Sequence, residues 1–517
     1  MLHSLLLKII DQKPYDRKSF LRAKKIAAAE FHLAPVANGM LIAAYNQLIE
    51  AGGLQRDHHF EKLLKKRTIR TASGIACVTV MTKQYDCPGR CAFCPQIDGM
   101  PKSYLPDQPA MMRAIRNKFD PYDQVSSRLR ALQINGHNTE KIEIRIAGET
   151  WSAYPLSYQE EYVKRIFDAL NEEESGSLED AQKKNETAKN RCVGMSIETR
   201  PDWINKKEIA HLRKLGVTLI ELGVQHTDNH VLDLNLRDHP VETTIAATKM
   251  LRDAGFKIVY HTMPNLYGSN LQMDLSMHRE LFARSDFRPD QLKIYPCMLL
   301  KNTELYTWYE QGKYIPYTTN ELTKLLIAIK KEVKEYCRII RVVRDIPSNN
   351  IADGNKVTNI RQMIQQHPDY SCVCIRCREP MGADFSEKLE PVMKITEYEA
   401  NGGREFFIAY ETQDAKTLFG YVRLRLPEKT EHFISELSHA ALVRELHVYG
   451  MVVGLEEKNS QEVQHKGLGK NLMKAAEKIA KKHGYEKIAV ISGIGVRKYY
   501  EEKLGYTLEG SYMCKKV

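Results

Sequence analysis

Between residues 76 and 347, apolar and β-branched runs recur at intervals: Ala76 to Thr82, Lys141 to Ala147, Cys192 to Ile197, Thr218 to Val224, Lys257 to Thr262, Gln291 to Tyr295 and Ile339 to Val343. Amphipathic stretches separate them, among them Tyr158 to Leu170 and Val241 to Ala254, whose apolar residues return at helical spacing. Strand and helix in alternation predict parallel strands joined by crossover helices. Around six or seven such units predict an open (β/α) barrel, with chemistry at the C-terminal ends of its strands.

The whole chain is longer than one such barrel. At 517 residues, and with about 150 residues per domain, roughly two to four domains are expected. The 43% hydrophobic and 27% charged residues are ordinary for a soluble protein, and no apolar run approaches the ~18 residues of a membrane span. Met1 to Ile10 has a short apolar patch but no small-residue cleavage site, so the expected location is cytoplasmic. The 11 cysteines fall into two clusters and scattered singles, which favours metals in a reducing compartment over disulfides.

The first cluster, Cys87-Pro-Gly-Arg-Cys91-Ala-Phe-Cys94, directly follows the first strand run. Three thiolates on one loop hold three irons of a 4Fe-4S cluster and leave the fourth without a protein ligand, whereas most electron-carrying clusters take four cysteines. A zinc knuckle, the competing reading, needs a second CxxC or a His pair, and neither follows in the next forty residues. Unconnected buried cysteines are the other alternative. The spacing resembles the signature of radical S-adenosylmethionine (SAM) enzymes, in which SAM chelates the open iron and is cleaved to a 5′-deoxyadenosyl radical. Later strand ends resemble that family in order. Ala147-Gly148-Glu149-Thr150 is similar to the Gly-Gly-Glu motif that receives the SAM amino group, with Ala147 replacing the first glycine. Glu198 and Arg200, in Ser196-Ile-Glu-Thr-Arg-Pro-Asp202, suit a ribose hydroxyl and a carboxylate. Glu221-Leu-Gly-Val-Gln225 is similar to the part that lines the adenine. Cys77 reads as a buried strand cysteine.

The second cluster, Cys372-Val-Cys374-Ile-Arg-Cys377, reads as structural zinc in a linker over 348–390. Its fourth ligand is expected from Cys297, with His367 as second choice. A chance cluster is the alternative. Residues 171–187 are polar and acidic enough to predict a mobile surface insertion. The formal charge of +11 is uneven: residues 1–75 hold 13 Lys and Arg against 6 Asp and Glu. Arg22/Lys24/Lys25 and Lys65/Lys66/Arg67/Arg70 suit a phosphate backbone, with a solvated helix face as the competing reading.

From about residue 391 the texture changes. Phe406 to Tyr410, Leu418 to Leu424 and Ala441 to Val448 read as strands, followed by Gln464-His-Lys-Gly467-Leu468-Gly469 and an amphipathic helix over Lys470 to His483. Glycines that open a helix leave N–H groups free to cradle a phosphate. With Lys487 to Ile491 and the aromatic Tyr499-Tyr500 helix after it, this resembles the acetyl-CoA site of the GCN5-related N-acetyltransferase fold. The predicted fold class is thus multidomain α/β. It comprises a basic segment over 1–75, a partial radical SAM barrel over 76–347, the zinc linker, and a mixed α/β acetyltransferase domain over 391–517.

Radical SAM and acetyl-CoA motifs in one chain resemble the catalytic subunit of the Elongator complex, in a stand-alone archaeal or bacterial form. Further matching stretches include Met112-Arg-Ala-Ile-Arg116, Leu292-Lys-Ile-Tyr-Pro296, Arg344-Asp-Ile-Pro347 and Ile491-Ser-Gly-Ile-Gly495. Only three residues separate Cys87 from Cys91, where eukaryotic members carry a longer insert. The resemblance implies carboxymethylation of the wobble uridine of tRNA at uracil C5, with acetyl-CoA as carbon source. It implies Cys87, Cys91 and Cys94 as cluster ligands, Gly148, Glu149, Glu198, Arg200 and Gln225 around SAM, and Lys141 and Lys293 as barrel contacts of the acetyl end. It further implies Glu445, Leu446, His447 and Val448, with Gln464, Gly467, Leu468, Gly469 and Lys470, on acetyl-CoA, and Tyr499 and Tyr500 near the sulfur. Glu445 or His447 is expected to activate a water. The basic N-terminus with Arg113, Arg116 and Lys118 is expected to track an anticodon stem-loop. An electron donor and a homodimer are further expected partners. The competing function is a protein lysine acetyltransferase with a structural cluster; an RNA-binding scaffold ranks last.

Overall fold

The computed structural model describes residues 1–34, 36–65, 73–380, 391–428, 431–449 and 467–517. Lys66, Arg67, Arg70 and Gln464 lie outside the described residues. Four helices open the chain: Leu2–Asp11, Arg17–Glu30, Asn38–Glu50 and His58–Leu64. The second starts at an Asp16–Ser19 capping box, which satisfies two end donors reciprocally. Their inward faces, including Leu5, Ile9, Phe20, Leu41, Tyr45 and Phe60, close a small core of their own.

Seven parallel strands follow in simple order: β1 Ala76–Met81, β2 Lys141–Ala147, β3 Arg191–Thr199, β4 Leu219–Gln225, β5 Lys257–Thr262, β6 Gln291–Ile294 and β7 Arg338–Arg341. The sheet ends at β1 and β7, so the barrel is open, as the alternation of runs predicts. Residues on alternate positions divide between an outer apolar layer under the helices and a polar interior. The outer layer includes Val78, Val80, Ile142, Ile144 and Ile146. The interior holds Cys77, Glu143, Arg145, Glu198 and Lys293, and Cys77 there is half-buried rather than core.

Residues 171–187 correct the expectation of a mobile insertion. They hold a helix, Leu178–Asn185, capped by Ser177 and seated by buried Leu178, Ala181 and Asn185. The Asn185 amide donates to Asn171 Oδ1 and its own Oδ1 accepts from the Cys192 backbone N–H at 2.7 Å, so polarity here marks a buried hydrogen-bond hub.

The second sheet has seven strands: β8 Val392–Glu399, β9 Gly403–Glu411, β10 Leu418–Pro427, β11 Ala440–Val448, β12 Lys487–Val490, β13 Thr507–Glu509 and β14 Tyr512–Lys516. Its order is β13-β14-β12-β11-β10-β9-β8, antiparallel except for the β11–β12 pair. Alternation sorts its faces. Phe406, Ile408, Val422, Leu424, Ala441 and Val443 pack under the helix Leu468–Lys482. Phe407, Ala409, Tyr421, Ala440, Leu442 and Ala489 join the core of the barrel.

That shared face sits on the N-terminal ends of the barrel strands. Arg444, on β11, donates to Asp290 Oδ1 at 2.6 Å, to Glu405 at 2.7 Å and to the Phe256 carbonyl at 2.9 Å. Asp290 precedes β6 and accepts from the Ile258 N–H at 2.9 Å, so one carboxylate ties two barrel strands to the second sheet. Tyr512 reaches the Ala254 carbonyl at 2.9 Å, and Gly493 abuts the backbone of Val193 where a side chain has no room.

Candidate functional site

The loop after β1 carries Cys87, Cys91 and Cys94 across the C-terminal end of the barrel. It is docked on the segment after β4: Ala92 N–H donates to the Asn235 carbonyl at 3.1 Å, and Arg90 pairs with Asp238 at 3.2 Å. Cys94, hydrogen-bonded to Cys91, and next the Arg237 guanidinium hold the Cys91 thiol well below its ordinary value despite burial. These three cysteines are not a single-ion cage. Zinc–sulfur bonds of about 2.3 Å place tetrahedral thiolates roughly 3.8 Å apart, and among the described residues the sulfurs that gather within 4.8 Å are those of Cys372, Cys374 and Cys377. The wider loop fits a larger polynuclear cluster.

A cavity of about 300 Å³ opens beside it, lined by Tyr85, Cys87, Gln96, Met100, Lys102 and Glu149. Gly148 has φ +155°, and a side chain there would collide with Thr82, so glycine alone lets the chain turn Glu149 toward the cavity. Glu149 Oε1 accepts from the Lys102 and Tyr85 N–H groups at 2.9 and 3.2 Å, while its buried Oε2 has no partner. Burial raises this carboxyl, and an ammonium group of a ligand would satisfy its free oxygen. Arg200 grips Asp202 with two bonds of 2.9 Å and points a buried, unpartnered Nη1 under Gly89 of the cysteine loop. Gln225 ends β4 at φ +70° with its Oε1 buried and unpartnered. The orphaned atoms of Glu149, Arg200 and Gln225 ring one end of the barrel, and their chemistry fits an amino acid joined to a nucleoside.

Glu198 is already engaged, accepting from Tyr104 Oη at 2.7 Å and Lys293 Nζ at 3.2 Å. Lys293 also pairs with Glu221, which in turn meets His261 Nε2 at 2.8 Å. Below them Glu143 and Arg145 pair at 2.6 Å. Lys257, at the opening of β5, then reaches Glu445 of β11 at 3.6 Å. A chain of charged groups therefore runs through the barrel from one end to the other. Lys141 opens β2 at the end facing the second sheet, beside Arg191, and stands a full strand away from Glu149.

On the second sheet β11 pairs with β12 only from Ala440 to Val443, after which the strands part. Glu445 to Val448 continue beside β10 alone, and into the gap opens the helix Leu468–Lys482. Gly467 caps that helix at φ +119° with no side chain over its first turn, so the donors of Leu468, Gly469 and Lys470 remain free of a side-chain cap. Val448 and the Tyr499 hydroxyl both border Gly469, where a Cβ would stand 3.0 Å from the hydroxyl. Tyr500 is buried behind Tyr499, with burial pushing its phenol up. A bulge opposite Arg423 turns both Arg444 and Glu445 toward the barrel, while Leu446 packs under the helix. Lys257 and Arg423 overcome burial and hold the Glu445 carboxyl at about 2, which makes it a weak base. His447, lowered by burial, lies against both the Tyr421 and Tyr449 rings with Nε2 unpartnered. It is the better placed of the two to handle a proton.

The Cys372 trio sits at the opposite end of the barrel from Cys297. Ile375 N–H bonds to the Cys337 carbonyl, just before β7, whereas Cys297 lies beyond the C-terminal end of β6 in a cluster with Cys91 and Phe93. Cys297 is therefore not its fourth ligand. His367 is turned to Asp369 at 3.7 Å. The groups that do crowd the trio are Tyr370, 2.9 Å from Cys377, and buried Lys330, 3.8 Å from it.

Comparison with known proteins bears on this architecture as a whole. Residues 81–280 match the radical SAM superfamily, 289–368 the Radical_SAM C-terminal domain, and 375–506 the acetyltransferase (GNAT) family. A tRNA uridine(34) acetyltransferase of Methanocaldococcus infernus is 44% identical over 88% of each chain. Elongator complex protein 3 of Saccharomyces cerevisiae is 37% identical over 88% of this chain and 85% of its own. The chain belongs to the Elongator complex protein 3 family. A solved structure of archaeal Methanocaldococcus infernus Elp3 with an N-terminal deletion shares its fold, with a TM-score of 0.75 and 40% identity over 86% of this chain and 99% of the other. The Elongator complex protein 3 fold thus carries the partial barrel and mixed sheet expected from the sequence. No described helix of this member is long and apolar enough to cross a membrane. Arg237, Lys257 and Tyr104 are site residues that no motif flags, because each acts through a contact distant in sequence.

Proposed function

We propose that this chain modifies the wobble uridine of tRNA, adding a carboxymethyl group to uracil C5 with acetyl-CoA as carbon source. One observation carries the reading: the sheet face on which an acetyl group would emerge from the β11–β12 gap is sealed onto the N-terminal end of a barrel whose other end holds an open three-cysteine loop. Relatives named tRNA uridine(34) acetyltransferase support the acceptor. When bound, the 4Fe-4S cluster and SAM supply a radical able to take hydrogen from the acetyl methyl. Cys87, Cys91 and Cys94 hold that cluster, and Glu149, Arg200 and Gln225 orient SAM through the polar atoms they leave unpartnered. Gly467 to Lys470 and Glu445 to Val448 hold CoA, with Tyr500 able to keep a proton near the sulfur. Lys141 and the charged barrel interior guide the acetyl end toward the cluster.

A peptide acceptor fits poorly, because Phe407, Ala409, Tyr421 and Leu442 on the acceptor side are covered by the barrel. The basic helices of residues 1–65 provide counter-charges for an RNA backbone, and an anticodon loop presents an unstacked base at low cost. Zinc on Cys372, Cys374 and Cys377 completes the reading, as do a cytoplasmic setting, an electron donor and a homodimer. Anaerobic reaction of the reconstituted protein with SAM, reductant, tRNA and methyl-carbon-labelled acetyl-CoA tests it. Label is expected in the wobble uridine; label on protein lysines alone would favour the peptide acetyltransferase.

A further inference from the structure

Arg237 lies in no motif, yet it is 4% exposed and carries a full charge beside the cysteine loop. A buried guanidinium favours a counter-charge, because an unpaired ion in a low-dielectric interior is costly. Among the described residues no carboxylate forms an ion pair with it. Asp202 is taken by Arg200 through two bonds of 2.9 Å, and Asp238 by Arg90 at 3.2 Å. What Arg237 meets is sulfur: its Nη1 stands 3.4 Å from Cys91 Sγ, while Nη2 donates to the Gly223 carbonyl and Nε is buried without a partner.

The backbone is shaped for this approach. A Cβ at Gly223 would lie 2.9 Å from Arg237 Nη2, so glycine in β4 makes the room. Arg200 Nη2 holds the Arg237 carbonyl at 3.1 Å, which fixes the direction in which the side chain leaves the main chain. The loop is fastened on both sides of Cys91, by Ala92 to Asn235 and by Arg90 to Asp238.

We propose that Arg237 is a positioning residue for the iron-sulfur cluster, whose guanidinium donates to the Cys91 thiolate and supplies the counter-charge for the anionic cluster. The proposal rests on the cluster-binding reading above. Hydrogen bonds and charge at cluster sulfurs set reduction potential, and a cation beside them favours the reduced, more negative form. Asp202 cancels Arg200, so of these two arginines Arg237 is the one whose charge is uncompensated.

The test uses the full chain and its Arg237→Gln and Arg237→Lys variants, reconstituted anaerobically with iron and sulfide. Iron and sulfide content is counted, and the cluster is titrated against potential by electron paramagnetic resonance. We expect Arg237→Gln to keep the cluster while its ratio of reduced to oxidised form at fixed potential falls about tenfold, ~59 mV for one electron. Arg237→Lys is expected to recover most of the difference. Loss of the cluster in Arg237→Gln alone, with Arg237→Lys retaining it, also supports the charge. A Gln variant that titrates with the wild type overturns the proposal. Loss of the cluster in both variants overturns it as well, since shape and not charge would then be what Arg237 supplies. A wild-type chain that takes up no cluster defeats the cluster reading first and this proposal with it.

Discussion

Arg444 binds the two halves of the molecule through a single guanidinium, and both carboxylates it meets, Asp290 and Glu405, are fully buried. Breaking a buried pair costs about 3–5 kcal/mol when it leaves the other charge alone, but Glu405 keeps Arg425 at 3.0 Å and Asp290 keeps Arg423 at 3.6 Å. Arg444→Met should therefore lose less than about 3–5 kcal/mol in urea unfolding, and adding Asp290→Asn should not restore it, because Arg423 then loses a partner. A second residue sets a pH dependence. His278 is buried with its ring between the Asp274 carbonyl at 2.7 Å and Thr262 Oγ1 at 3.0 Å. Burial lowers its pKa from 6.5 to about 4, so the unfolded chain takes up the proton first. Its contribution is present above pH 6.5 and is lost as pH falls toward about 4, the sign expected for a depressed folded value. His278→Gln should flatten the fall in unfolding midpoint across that window.

Elements explain which parts of the molecule the sequence revealed. The seven barrel strands were legible because each is a short β-branched run whose outer face is covered by helices; β2 and β5 match residue for residue. Strand β8 was not, since most of it is exposed and it meets the barrel through Thr396, Tyr398 and the Glu399 carbonyl, so no apolar run marks it. Of the four N-terminal helices, Arg17–Glu30 is hidden by its basic residues, whereas Leu2–Asp11 and Asn38–Glu50 are rich in apolar residues and are legible from them. Site residues followed the same divide. Cysteines and glycines announce themselves by spacing, but the Arg237–Cys91 contact bridges 146 positions and leaves no local trace. Gly148 is where local and distant constraints meet. Gly148→Ala should fold, bind acetyl-CoA normally and weaken SAM binding at least tenfold by calorimetry, because a Cβ there collides with Thr82 and turns Glu149 from the cavity.

At the scale of the whole molecule, the proposed function requires two cofactor sites at opposite ends of one barrel to act on one acetyl group. Cys77, half-buried in the interior and within the field of Arg145, Glu143, Glu221 and Lys293, stands between them. Cys77→Trp should block that interior while leaving acetyl-CoA binding and SAM cleavage each measurable, and tRNA modification should fall at least tenfold. The most direct measurement of the shared-substrate claim follows the hydrogen itself. Acetyl-CoA bearing a trideuteriomethyl group is supplied with SAM, reductant and tRNA, and both products are weighed by mass spectrometry. One deuterium in the recovered 5′-deoxyadenosine and two in the new side chain of the wobble uridine are the predicted result. Modified tRNA accompanied by 5′-deoxyadenosine free of deuterium would contradict it.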